Sequence, residues 1–362
     1  MHVAHIRYFC TEDMKRLICI IIIFLAGKSV FTQESGLSVY GGWGFTVPHH
    51  AEMWNYIEKH GKQIDLTYFS DMHPDLPSGS NLRKALGFSF LDPVNPDIMV
   101  YGLSLYPQLH FPFNAEKRNS WFILGCGVEY NTKKYSDINY RFNSIGSHFN
   151  AFILLGFTRE FKISDDWRIS ARFNWSHYSN GATKDPNYGL NIPTAGISIQ
   201  KYFKPKKENA KSLHIYDNPN WQFLASGSMK QLRIEGPVYS TYMFSAEKNI
   251  SPKKRNYWSL GSDLIFDQSM QDLLTDIGDS STNFSDNIKI TLKGAWNVPL
   301  ENLHISLQAG IYLKNAYFRE EYLFQRLALR YRFTEQLGAS ISMRSHYAVA
   351  DVIELGLMYT LQ

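Results

Sequence analysis

Trp167-Arg168-Ile169-Ser170-Ala171-Arg172-Phe173-Asn174-Trp175-Ser176-His177-Tyr178-Ser179 alternates without a break. Trp167, Ile169, Ala171, Phe173 and Trp175 take every second position, and Arg168, Ser170, Arg172, Asn174 and Ser176 fill the places between. A period of two belongs to an extended strand, whose successive side chains point to opposite faces. An apolar face set against a charged or small-polar one suits a strand with lipid on one side and a polar barrel interior on the other. His177 and Ser179 continue the apolar row at the end of this strand, so the imidazole and the hydroxyl lie side by side. That is the spacing a general base needs to activate a hydroxyl nucleophile.

The same period recurs along the chain in segments about as long as a tilted membrane-spanning strand. Eight segments fall in the first half, at 36–47, 62–72, 84–92, 98–113, 119–131, 146–161, 166–179 and 190–203. Eight more follow at 220–233, 238–249, 254–267, 286–298, 302–314, 319–333, 335–346 and 349–361. In 302–314, Ile305, Leu307, Ala309, Ile311 and Leu313 oppose His304, Ser306, Gln308, Gly310 and Tyr312. In 319–333 one face carries Arg326, Arg330 and Arg332. Only 51–60 and 268–276 read as short helices, both in loops. A soluble sandwich would show the same period. The 22 Tyr, 24 Phe and 8 Trp instead suit the aromatic girdles of a membrane barrel.

The beginning of the chain agrees. Lys15-Arg16 precede the apolar run Leu17 to Ala26, and small and polar residues follow to Gln33. This is the pattern of a cleaved signal peptide, too short to span a membrane as a helix. Met14 reads as the natural start, with 1–13 an upstream extension and cleavage near Thr32. Cys10 and Cys19 leave with the leader, so Cys126 has no partner for an intramolecular disulfide. Cys19 opens the apolar run instead of ending it, which excludes a lipoprotein signal. Residues 1–32 hold four basic and two acidic side chains, so the formal charge of +4 falls to about +2. That charge does not point to nucleic acid.

The expected fold class is all-β: an antiparallel transmembrane β-barrel of about 14–16 strands after a signal peptide. Residues 1–32 are the extension and leader, 33–203 the first barrel half, 204–219 a charged linker and 220–362 a second half. Sixteen strands close as one large barrel or as two of eight. The single barrel is favoured, because two membrane barrels in one chain are rare. Ser345-His346-Tyr347-Ala348 echoes Ser176-His177-Tyr178-Ser179, which reads the second half as a degenerate repeat with Ala348 in place of the hydroxyl. Gly356-Leu357-Met358-Tyr359-Thr360-Leu361 resembles the last-strand signal of outer-membrane barrels, making the barrel assembly machinery an expected partner.

After Ser179 the chain runs Asn180-Gly181-Ala182-Thr183-Lys184-Asp185-Pro186-Asn187-Tyr188-Gly189-Leu190-Asn191, a loop leading into the next strand. His177, Ser179, Asn180, Gly181, Pro186, Asn187 and Gly189 resemble the H-x-S-N-[AG] and P-N-x-G signature of the lipid A 3-O-deacylase (PagL) family of outer-membrane esterases. The resemblance extends through Gly125-Cys126-Gly127-Val128-Glu129-Tyr130 and Gly146-Ser147-His148-Phe149-Asn150, and covers roughly 36–203. His148 and Asn150 match without an assigned chemistry. At the position of the family's triad acid, usually Glu, this chain has Asn191.

The resemblance implies an esterase of the bacterial outer membrane acting on lipid A, lipopolysaccharide or another outer-leaflet lipid, without cofactor or metal. His177 is the expected base and Ser179 the nucleophile. Asn187 and a backbone N–H near Asn180 or Gly181 are the expected oxyanion donors. An amide at Asn191 can orient the His ring but cannot stabilise an imidazolium as a carboxylate does; in serine proteases the Asp-to-Asn change costs about 10⁴-fold. Three readings stay open: a slower dyad enzyme, an acid supplied by Asp185, Asp351 or Glu354, or an inactive relative. The alternative function is a non-catalytic outer-membrane barrel that retains a relic site, either a structural protein or a channel, with Arg326, Arg330 and Arg332 placed to line an anion-accepting lumen.

Overall fold

The computed structural model describes residues 34–362 except 58–59, 73–80, 93–94, 96–97, 99–100, 204–216, 252–255, 279–282, 301, 318–321 and 348. The expected extension and leader, most of the linker and Ala348 lie outside the described residues.

Eight strands come from the first half: β1 (Ser35–Gly44), β2 (Gly61–Asp71), β3 (Arg83–Asp92), β4 (Gly102–Pro112), β5 (Ser120–Asn131), β6 (Phe149–Lys162), β7 (Trp167–Ser179) and β8 (Leu190–Phe203). The second half gives β9 (Trp221–Gln231), β10 (Val238–Asn249), β11 (Tyr257–Asp267), β12 (Ile288–Leu300), β13 (Leu303–Lys314), β14 (Leu323–Arg332), β15 (Leu337–His346) and β16 (Val349–Leu361). The loop at 51–60 forms a 3₁₀ turn, Ala51–Asn55, and 268–276 becomes the helix α1 (Met270–Asp276). No described helix is long and apolar enough to cross a membrane.

These strands close as two eight-stranded antiparallel barrels, not as one of sixteen. The favoured single barrel is therefore corrected, and the reason lies in which edges meet. β1 pairs with β8 from Ser35–Phe203 to Gly44–Thr194, and β9 pairs with β16 from Trp221–Leu361 to Gly227–Leu355. Each half covers its own two open edges, so none is left for β8 to offer β9.

Eight strands enclose a space that side chains can fill. In the first barrel Tyr40, Tyr106, Trp121, Phe152 and Tyr178 point inward. Among them Arg83 bonds Glu160 at 2.9 Å and Asp71 at 3.3 Å, with its guanidinium stacked on Trp121. The second barrel holds a denser ionic core. Arg330 grips Glu247 with both terminal nitrogens, at 2.8 and 2.7 Å. Lys293 bridges Glu247 and Asp263, each at 2.7 Å. Arg326 lies 2.8 Å from both Asp263 and Glu354, and Arg332 donates to the carbonyls of Asp217 and Glu335. The arginine row thus faces inward, with Arg326 and Arg330 charge-compensated by carboxylates and Arg332 hydrogen-bonded to backbone carbonyls, instead of standing open to an anion. His346, the echo of His177, is buried inside this barrel against the Tyr312 hydroxyl.

The outer row of each strand is apolar. Val39, Ile64, Val128, Phe173, Ile197 and Ile199 stand exposed on the first barrel, and Phe244, Leu260, Leu292, Leu313, Leu355 and Leu357 on the second. So much continuous apolar surface fits lipid, not water. Where the barrels meet, Leu109 and Met72 of the first pack with Leu300 and Ile305 of the second. The loops after β1, β5 and β7 gather at one rim of the first barrel. There Met53, Tyr56, Phe142 and Ile145 join the lumen residues in a single apolar cluster. The site sits at this rim.

Candidate active site

The β7–β8 hairpin positions every candidate residue. Along β7, Ser170, Arg172, Asn174, Ser176 and Tyr178 are buried in the lumen, while Trp167, Ala171, Phe173 and Trp175 face outward. His177 and Ser179 occupy that outward row. The antiparallel register sets Asn191 of β8 directly opposite His177, and the two side chains meet: Nδ1 of His177 lies 2.9 Å from Oδ1 of Asn191. An amide oxygen only accepts, so the ring donates from Nδ1 and leaves the Nε2 lone pair free.

His49, which periodicity and the H-x-S spacing do not reach, orients Asn191 from behind. Nε2 of His49 lies 2.8 Å from the Tyr188 carbonyl, and its Nδ1 is 3.4 Å from the Asn191 amide nitrogen. Nδ1 also lies 3.2 Å from the Val47 carbonyl; in the tautomer that donates from Nε2 to Tyr188, the shorter contact, Nδ1 is the acceptor for the Asn191 N–H₂. His50 stacks on Tyr188 with centroids 4.2 Å apart. The adjacent pair His49-His50 after the first strand is the only sequence signal that pointed here.

Ser179 is on the outer row yet only 4% exposed, because its own loop folds over it. Its Oγ has no hydrogen-bond partner among the described residues, including His177. A buried hydroxyl left without a partner is uncommon and calls for an explanation such as a catalytic role. Gly189 holds the two side chains to a common spot. Its φ is +74°, and a Cβ there would lie 3.0 Å from Cε1 of His177 and 3.4 Å from Cβ of Ser179. The N–H of Gly189 donates to the Ser144 carbonyl at 2.9 Å, and the Ser144 hydroxyl is bonded to Tyr56. Burial pushes the Tyr56 phenol up to about 12, so it stays neutral.

The loop has a built interior. The Asn180 N–H donates to Oδ1 of Asn187 at 2.9 Å, and the Asn180 side chain donates to the Lys184 carbonyl at 2.7 Å. Asn180 is thereby spent on the loop and is not an available oxyanion donor. Its bond to Asn187 engages Oδ1 and leaves the Asn187 amide N–H₂ available to donate elsewhere. Gly181 has φ +61°, and a Cβ there would lie 2.4 Å from Cγ1 of Ile353, on the second barrel. The second barrel grips this loop further on: the Gln231 N–H donates to the Ala182 carbonyl at 3.0 Å, and Oε1 of Gln231 accepts from the Asp185 N–H at 3.0 Å.

None of the three carboxylates considered as a substitute acid reaches His177. Asp351 pairs with Arg344 and Lys230, and Glu354 with Arg326, all in the second barrel. Asp185 faces the barrel junction, where burial raises its pKa against a hydrogen bond from the Ile234 backbone. His148 donates from Nδ1 to the Asn131 carbonyl at the rim, and Asn150 donates to Glu129 inside the lumen at 2.8 Å; both are parts of the wall.

Two family models match the chain, "Lipid A 3-O-deacylase (PagL)" over residues 36–200 and "Acyloxyacyl hydrolase, C-terminal domain" over 219–362. The chain belongs to the PagL family. Each PagL-type model covers one barrel, and both printed names are those of deacylating hydrolases, which supports a hydrolase role at the outer membrane. No curated protein matches the chain. Similar solved structures include a bacterial polysaccharide outer membrane secretin, 10% identical over 92% of this chain and 100% of that one, with a TM-score of 0.24. Others are a KdgM porin in complex with disordered oligogalacturonate (7%, 91% and 99%, TM-score 0.20) and a mutant Rh. blastica porin (9%, 90% and 98%, TM-score 0.19). TM-scores this low carry no argument.

Proposed function

We propose that this PagL-family chain is an outer-membrane serine esterase that removes an ester-linked acyl chain from lipid A or a closely related outer-leaflet lipid. The observation that carries this reading is the contact of His177 Nδ1 with Asn191 beside the unpartnered, buried hydroxyl of Ser179. The outward aim of the strand row turns this pair towards membrane-embedded chains.

Nε2 of His177 takes the Ser179 proton as Oγ attacks the acyl carbonyl. The tetrahedral intermediate collapses, and the proton passes from His177 to the departing alkoxide. Water, deprotonated by the same ring, then cleaves the acyl-serine and releases the fatty acid. The Asn187 amide and the Gly181 N–H are the oxyanion donors, each such donor being worth about 10²–10³-fold in rate. Asn191 holds the ring in the productive tautomer without a carboxylate's charge. Of the readings left open by the sequence, the slower dyad enzyme fits this geometry. Insertion by the barrel assembly machinery is part of the same proposal.

Mass spectrometry of lipid A from cells producing the wild type and Ser179→Ala tests it. Loss of one acyl chain with the wild type alone is expected. An unaltered lipid A with both would refute the assignment of this substrate.

A further inference from the structure

A cavity of about 350 Å³ lies between the two barrels, walled by Leu86, Cys126 and Ile153 of the first and by Ile305, Leu327 and Leu329 of the second. Its floor is one cross-strand row of the first barrel. Asn191 pairs with His177, His177 with Ile153, and Ile153 with Cys126. The β4–β5 register, with Gln108 opposite Gly125, carries the row to Pro107, which pairs with Leu86, and Leu86 pairs with Tyr68. The cavity therefore begins one strand step, about 4.8 Å between backbones, from the strand that carries His177. From Ile153 on β6 to Tyr68 on β2 it runs four strand steps, roughly 19 Å along the wall.

We propose that this inter-barrel cleft binds the acyl chain being cut, and that the second barrel supplies the wall that limits its length; this rests on the esterase reading above. A saturated chain advances about 1.3 Å per carbon, from a carbon–carbon bond of about 1.5 Å, so 19 Å accommodates about 15 carbons. The cavity volume is at the low end of the range for pockets that take one small ligand, which fits one chain and not a whole lipid. The opposite wall is built for the same guest. Ile305 and Leu329 are direct cross-strand partners, as are Leu307 and Leu327, so β13 and β14 present a ladder of branched aliphatics. Bulk lipid gives two barrels no hydrophobic reason to associate. A cleft left between them, mostly apolar in lining and ending at Ile153, the cross-strand partner of His177, is a site for a chain and not a packing seam.

Two measurements test the proposal on the full-length protein in phosphatidylethanolamine vesicles. The first compares hydrolysis of p-nitrophenyl esters of 4 and 16 carbons by the wild type and Leu329→Trp. The ratio of 16-carbon to 4-carbon activity is expected to fall at least tenfold in the variant; an unchanged ratio would overturn the proposal. The second needs no turnover and does not depend on the tryptophan variant folding. A 16-carbon ester with a terminal diazirine is photolysed with Ser179→Ala, and adducts are mapped by mass spectrometry. Adducts on β13 and β14 are expected, and adducts confined to other parts of the outer wall would overturn the cleft assignment. An enzyme without esterase activity whose adducts still fall on β13 and β14 would keep the cleft and remove the esterase reading. Active enzyme labelled elsewhere would do the reverse.

Discussion

Gln231, the last residue of the first strand of the second barrel, accepts a hydrogen bond from the backbone N–H of Asp185 in the loop that covers Ser179. Its own N–H donates to Ala182 of the same loop. The second barrel thus holds in place the segment from which Gly181 and Asn187 project. Gln231→Ala removes the side-chain bond, worth about 0.5–1.5 kcal/mol, and leaves the backbone bond. Ester hydrolysis is expected to fall several-fold while the thermal midpoint of the barrels moves little. The check is kcat together with hydrogen exchange of residues 180–189; unchanged exchange would mean the loop holds itself.

Gly181 is forced by two separate constraints. Its φ of +61° disfavours any side chain, and Ile353 fills the place a Cβ would take. A residue with a side chain in this conformation costs about 1–2 kcal/mol before any clash. Gly181→Ala is expected to lower stability by more than that strain alone, and Ile353→Ala to restore only the clash component. A double-mutant cycle by denaturant unfolding reads the coupling. Additive effects would show that the two barrels do not touch at this point in solution.

Asn191 carries the orientation of His177 but no charge. Asn191→Glu is expected to raise the hydrolysis rate, because a carboxylate stabilises the imidazolium that forms as Ser179 attacks. His49→Ala removes the acceptor that keeps the Asn191 amide facing the right way. It should reduce the rate of the native chain, yet have a smaller effect in the Asn191→Glu background, where both side-chain oxygens accept. Steady-state kinetics on one ester with the four combinations decides this, and equal losses from His49→Ala in both backgrounds would refute the orienting role.

Inside the second barrel, Glu247 answers both Arg330 and Lys293. Removing one partner of a buried ion pair leaves the other uncompensated, at a cost of about 3–5 kcal/mol. Glu247→Ala is expected to destabilise the chain by an amount of that order, measured from unfolding in detergent. A loss below about 1 kcal/mol would mean that water reaches the pair and solvates it.

The sequence by itself determined the strands and their facing. Alternation along Trp167 to Ser179 is a local property, since pleating sets the direction of each side chain whatever the strand later pairs with. For that reason His177, Ser179 and Asn191 could be placed on the outer row from the chain alone. The tertiary structure decided what depends on partners distant in sequence. Barrel number follows from which free edges meet, and the paired residues of β1 and β8, from Gly44–Thr194 to Ser35–Phe203, lie 150 to 168 residues apart in chain order. The charge state of the lumen was equally hidden: Arg326 and Arg330 show their facing in the sequence, but their carboxylates come from strands far along the chain. His49 lies 142 residues from Asn191, and the cleft between the barrels exists only once both walls have docked. Periodicity records the direction of a side chain, while the closing of edges and the docking of walls choose its neighbours.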